Sequence, residues 1–198
     1  MRPSIKIPDS ITEIGDRAFN GCSGLLSIEI PNGVTRIGYG AFSGCKILTS
    51  IELHNSITGI GNNAFSDCCS LISMEIPDKV SSIGKGVFSG CSGLISIKIP
   101  KGITFIGKDL FDGCRNVRSI TISGDSTHID HEAFAGITPR ELHIPYYHSS
   151  GTIESWFGWP ASSLKDCTLY VPQKYYENFK NSYGDNVFKD IVIDNDKI

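Results

Sequence analysis

The sequence predicts a repeat solenoid, a right-handed coil of short parallel β-strands joined by short helical or 3-10 turns. Three observations carry that expectation. Copies laid under one another at a 23-residue period align Phe19, Phe42, Phe65, Phe88, Phe111 and Phe134. The same offset aligns Cys22, Cys45, Cys68, Cys91 and Cys114. Between these marks apolar and polar residues alternate over short stretches, as in Leu48-Thr49-Ser50-Ile51-Glu52-Leu53, which is the pattern of a strand with one buried side. A short fixed period means that each copy is one supersecondary unit that cannot bury its apolar side alone, so copies must stack.

Each unit runs LxSIxIPxxITxIGxxAFxGCxx, and its parts follow in order. The first strand opens at Leu25, Leu48, Leu71, Leu94 and Val117 and ends at prolines such as Pro31, Pro77 and Pro100, which cannot donate to a ladder. A second short alternation follows, as in Val34-Thr35-Arg36-Ile37, and Gly38 closes it with a turn. Next comes GAFSGC, expected as one helical or 3-10 turn that carries Ala41, Phe42 and Cys45 inwards. The buried ladders are then Ile28, Ile51, Met74, Ile97 and Ile120; Ile30, Leu53, Ile76, Ile99 and Ile122; and Ile14, Ile37, Ile60, Ile83, Ile106 and Ile129.

These copies fill residues 1–145, about six of them with the first partial, and residues 146–198 read as an α+β C-terminal cap. In the cap, Tyr146 to Cys167 is an irregular excursion holding Tyr147, Trp156, Phe157 and Trp159. Thr168 to Pro172 reads as a strand, Gln173 to Tyr183 as a short helix with Tyr176, Phe179 and Tyr183 on one face, and Val187 to Ile193 as a final strand. The repeat phase already runs at Ser4 to Pro8 with nothing before it to close the first coil. An N-terminal part, and any export signal with it, is therefore expected to be missing, and the open edge would let copies associate.

Composition excludes several classes of function. A net charge of −3 lacks the basic face of a nucleic-acid binder, and no apolar run approaches the roughly 18 residues of a membrane span. Of seven cysteines, five hold one phase of successive copies. Stacked coils about 4.8 Å apart would point these side chains the same way, so a column of buried free thiols is expected rather than disulfides. No CxxC occurs, and HIDHE at 128–132 lacks the helical spacing of a metal-binding HExxH, so no metal or cofactor is expected. No serine lies in GxSxG, the repeat glycines are turn residues, and no acid, base and nucleophile recur outside the repeat, so no catalytic residue is assigned.

The units resemble leucine-rich repeats of the BspA-like, Treponema pallidum type, whose copies also read LxxIxIPxxVxxIGxxAFxxC. The likeness covers Ile5 to about Ile144, and TLYVPQKYYENFKNSYGDNVFKDIVI resembles the segment that closes such arrays. The sixth copy departs from the pattern at Ser126 and Asp130 and loses one residue before Leu142. The resemblance implies a leucine-rich-repeat coil on a secreted or cell-surface bacterial protein that serves adhesion and protein recognition, with host extracellular-matrix or other surface proteins as partners.

Two outward columns are the candidate ligand-binding strip on the concave side. One is Ser4, Ser27, Ser50, Ser73, Ser96 and Ser119; the other is Lys6, Glu29, Glu52, Glu75, Lys98 and Thr121. The columns admit two interpretations: a strip with stacked carboxylates that attracts a basic partner or a cation, or small and charged residues that suit the curvature and keep the face soluble. The aromatic group with Trp156 and Trp159 likewise either anchors a protein or sugar ligand or packs as the lid on the final coil. The expected function is a non-enzymatic recognition or adhesion module, with a structural spacer for another domain, or an enzyme with its site in the C-terminal segment, as alternatives.

Overall fold

Alternating side chains and a strict period leave the backbone one economical arrangement, parallel strands stacked coil on coil. The computed structural model describes residues 5–107, 109–124, 128–130, 133–146 and 164–194. The first strands of the coils are Ile5–Lys6, Ser27–Glu29, Ser50–Glu52, Ser73–Glu75, Ser96–Ile99 and Ser119–Ile122. The second are Glu13–Ile14, Arg36–Ile37, Gly59–Ile60, Ser82–Ile83, Phe105–Ile106 and His128–Ile129. Among the described residues the pairings are parallel, and those between these strands keep the period: Ile28 lies beside Ile51, Ile37 beside Ile60, and Ile97 beside Ile120.

The core is the set of ladders that the sequence predicts. Phe42, Phe65, Phe88, Phe111 and Phe134 are fully buried, and successive rings stack with centroids 5.2 to 6.1 Å apart and planes within 11°. Phe19 heads the column half-buried, 5.2 Å from Phe42. Ile83 and Ile129 depart from their ladder by being only partly buried. Removing each Ile, Leu or Phe side chain from water is worth about 1.5–3 kcal/mol, and nearly all of that burial is supplied by the coils on either side.

The GAFSGC segment differs from expectation. It forms consecutive tight turns, not a helical or 3-10 turn, because Gly40 and Gly44 take φ of 56° and 74° and break any run of right-handed residues. The N–H groups of Gly40, Phe42 and Gly44 donate to the carbonyls of Asn62, Ala64 and Ser66 on the next coil at 2.9, 2.8 and 2.8 Å. Those of Ser43 and Cys45 close local turns on Gly40 and Phe42 at 3.1 Å each. The turn side of the solenoid is thus knitted between coils as the strand sides are.

After residue 140 the row continues. Glu141–His143 pairs with Ser119–Ile122 at an offset of 22 residues, the deletion noted before Leu142, and then with Thr168–Val171. Pro172 ends that strand in extended geometry, a 3-10 turn covers Gln173–Tyr175, and the helix runs Tyr176–Val187. The helix is longer than the sequence suggests, so the last strand begins at Asp190 instead of Val187 and runs to Ile193 beside Thr168–Val171. Phe179 and Tyr183 are buried from the predicted face, Tyr176 is half-buried, and Phe188 meets the Tyr183 ring edge-on at 5.7 Å.

Two outcomes check this packing. Phe65→Ala removes a ring stacked on both sides and is expected to cost about 3–5 kcal/mol in a denaturant titration. Gly44→Val puts a β-branched residue in the left-handed region and is expected to cost about 1–2 kcal/mol in the same titration.

Candidate interaction surface

Strand alternation that buries Ile28, Ile51, Met74 and Ile97 necessarily turns the residues between them outwards. Ser27, Ser50 and Ser73 are exposed and Ser96 and Ser119 half-buried; Glu29, Glu52, Glu75 and Lys98 are exposed and Thr121 half-buried. The register places Glu29 beside Glu52 and Glu75 beside Lys98, so these residues form one continuous strip. Lys6 stands beside Glu29 at the other end.

The electrostatics of the strip are uneven. No ion pair within 4.0 Å joins Glu29, Glu52 or Glu75 to Lys6 or Lys98; the one cationic partner within reach among the described residues is His54, whose Nδ1 lies 3.9 Å from Glu52 Oε1 and pairs with it only when protonated. Lysines close in sequence and register are therefore not used to neutralise the carboxylates. The row of first strands is also divided here: Ile5–Lys6, Ser27–Glu29 and Ser50–Glu52 form one sheet, and Ser73–Glu75 begins another of six strands. The strands that carry Glu52 and Glu75 stay in contact across this boundary, and the repeat places the two carboxylates at equivalent positions on adjacent coils. An open groove follows the boundary, lined by residues 50–55 on one coil and by residues of 73–78 on the next.

Towards its C-terminal end the strip changes character, which the sequence does not reveal. His143 follows Thr121 in the outward column and would be expected in solvent, but it is 1% exposed. Its ring stacks on Tyr170 at 4.2 Å, and Nδ1 lies 3.0 Å from Asp194 Oδ2, so the last coil is tied back to this position. His128, exposed on the second strand, stacks on Phe105 at 5.7 Å, and that ring is itself 53% exposed. Among the described residues no group of three or more His, Cys, Asp and Glu side chains has the closeness that a metal ion needs. Trp156 and Trp159, with Tyr147, Phe157, His131 and His148, lie outside the described residues; Tyr146 is buried.

The cysteine column is a packing element. Cys45, Cys68, Cys91 and Cys114 are buried free thiols, and each Sγ–H donates to the carbonyl of Phe19, Phe42, Phe65 or Phe88 on the preceding coil at 3.0 to 3.2 Å. Burial, the dominant cause, pushes the thiols up to about 11 at Cys45 and about 12 at Cys68 and Cys114, and raises Cys91 further. A thiol so far from ionising is no nucleophile at neutral pH. Cys69 is the exposed exception.

The family profile described as "BspA type Leucine rich repeat region (6 copies)" matches residues 3–92 and 58–170. The chain belongs to the BspA-type leucine-rich repeat proteins. Among solved structures this BspA-type protein is similar to a leucine-rich repeat protein of T. pallidum, at 26% identity and a TM-score of 0.62 over 72% of each chain. It is also similar to a leucine-rich cell surface protein of Faecalibacterium prausnitzii, at 26% identity and a TM-score of 0.66 over 96% of this chain and 47% of that one. The pneumococcal vaccine antigen PcpA shares the fold at 23% identity and a TM-score of 0.59, over 98% of this chain and 42% of the antigen. The BspA-type chain thus spans less than half of two of these neighbours. No curated protein matches its sequence. No helix among its described residues is long and apolar enough to cross a membrane.

Thiol chemistry checks the packing of this BspA-type array. Under native conditions a thiol reagent is expected to label Cys69 fast and half-buried Cys22 slowly, leaving Cys45, Cys68, Cys91 and Cys114 untouched until unfolding. Because burial raises the folded thiol pKa values above the ordinary 9.0, the stability they lend is complete below about pH 9 and lost as pH rises towards about 12. Thiolate ultraviolet absorbance at pH 10 should therefore rise sharply on adding denaturant; full absorbance in the native protein would contradict the buried column.

Proposed function

We propose that the chain is a non-enzymatic macromolecule-recognition or adhesion module of a bacterial cell-surface or secreted protein. Its partner is another protein, such as a host extracellular-matrix component or a neighbouring surface protein. One observation carries this: the outward row from Ser27 to Lys98 is a succession of polar and charged side chains, all exposed except half-buried Ser96, on strands whose inward residues are buried. Stacked coils hold such side chains on a rigid extended surface, so a partner meets them with little loss of conformational freedom. Among the described residues no lysine or arginine pairs with Glu29, Glu52 or Glu75, and only His54 approaches Glu52, which leaves surface charge for a partner to match. The likeness to a leucine-rich cell surface protein favours display outside the cell.

Binding of the full chain to a panel of purified extracellular proteins tests this, with the combined Glu29→Lys, Glu52→Lys and Glu75→Lys reversal as control. Salt-sensitive capture of a panel member is expected, and the reversal should weaken it about tenfold or more without moving the melting midpoint. No capture of any panel member at micromolar concentration would favour a spacer that only holds another domain. Capture that the reversal leaves unchanged would move the binding face off this strip.

A further inference from the structure

We propose that the groove between Glu52 and Glu75 receives a lysine or arginine side chain of an amphipathic, basic polypeptide segment, whose aliphatic residues rest on Ile72 and Ile95. The inference rests on the recognition reading and names the chemistry of the partner.

The carboxylates come first. Glu52 and Glu75 occupy equivalent positions on adjacent coils, so their backbones stand about 5 Å apart. A groove runs along the two strands that carry them, which stay in contact, and Asp78 is also in its lining. One ammonium or guanidinium placed there would be attracted by both carboxylates and would relieve their mutual repulsion. His54 at 3.9 Å from Glu52 supplies no standing charge of that kind, being cationic only when protonated.

The second observation is apolar and independent of the first. Ile72 and Ile95 are 52% and 50% exposed, and the Ile95 N–H donates to the Ile72 carbonyl at 2.9 Å, so they are neighbours on successive coils. Their column carries Thr49 on the coil before and Arg118 on the coil after, so the fold tolerates polar residues at this place. Ile72 immediately precedes Ser73, where the strand that carries Glu75 begins, so two adjacent aliphatic side chains left half in water form an apolar step at the start of that strand. Ile72 lies three residues from Glu75, about 10 Å along the strand. An extended segment with basic and aliphatic residues alternating on the same side, about 7 Å apart, bridges that span because a basic side chain is itself long and flexible. The same negative charge repels anionic lipid and nucleic acid, which leaves a cationic peptide as the complementary occupant.

A fluorescently labelled extended peptide in which lysine and valine share one side, titrated with the full chain, is the test. Saturable binding that weakens with salt is expected. Glu52→Gln with Glu75→Gln should weaken it about tenfold and flatten the salt dependence. Ile72→Ser with Ile95→Ser should weaken it about threefold and leave the salt dependence in place. Both pairs change exposed side chains, so an unchanged melting midpoint certifies the fold. Equal binding by both variants, equal binding of a peptide with glutamate for lysine, or no binding of the lysine peptide overturns the proposal. Calcium alone binding the parent and not the glutamine variant, and displacing the peptide, would make the groove a cation site and overturn it as well; so would equal affinity for phosphatidylserine vesicles. Capture of an extracellular protein that survives Glu52→Gln with Glu75→Gln would end this inference while leaving the recognition role in place. Peptide binding with no protein captured would do the reverse.

Discussion

Stacking at a fixed interval is the constraint on which the whole molecule depends. A single coil holds too few apolar side chains to offset the entropy of ordering its backbone; its rings and thiols, and its strand N–H groups, find partners on the coils above and below. Phe65 illustrates this: one ring face is covered by Phe42, the other by Phe88, and its carbonyl accepts the Cys91 thiol. The interior is thus a set of columns in which each residue has the same type of neighbour, and one altered member disturbs two interfaces.

The same interval governs the exterior. Because inward residues fix the register, outward ones are carried at a spacing of about 4.8 Å, and their chemistry can vary without cost to the core. Serines repeat faithfully at one position, while the position two residues on passes from Lys6 through three glutamates to Lys98, Thr121 and buried His143. Charge is therefore localised on a frame that is nearly uniform. Like charges stand side by side at Glu29 and Glu52, and the inward packing still holds that pair in register.

Buried polarity is handled by position along the array. Thiols sit where a small, weakly donating side chain can reach a carbonyl, and burial keeps them neutral, which removes their capacity for chemistry. At the end of the array a different device appears: His143, stacked on Tyr170 and hydrogen-bonded to Asp194, joins the penultimate and final strands through side chains as well as backbone.

Periodicity alone determined the fold class, the inward ladders, the phenylalanine and thiol columns and the outward strip, because residues a constant interval apart can touch in only one way once coils stack. Three matters were decided by the tertiary structure. The GAFSGC segment turns instead of winding into a helical turn, because the left-handed φ of Gly40 and Gly44 breaks the right-handed run and the N–H groups of Gly40, Phe42 and Gly44 bond to the next coil. The helix ran on to Val187 and shortened the last strand to Asp190–Ile193, since that strand extends only as far as its neighbour Thr168–Val171 can pair with it. The burial of His143 and the groove along Glu52 and Glu75 depend on what lies across from each residue in space, and a repeating sequence specifies the spacing of such neighbours without specifying what covers them.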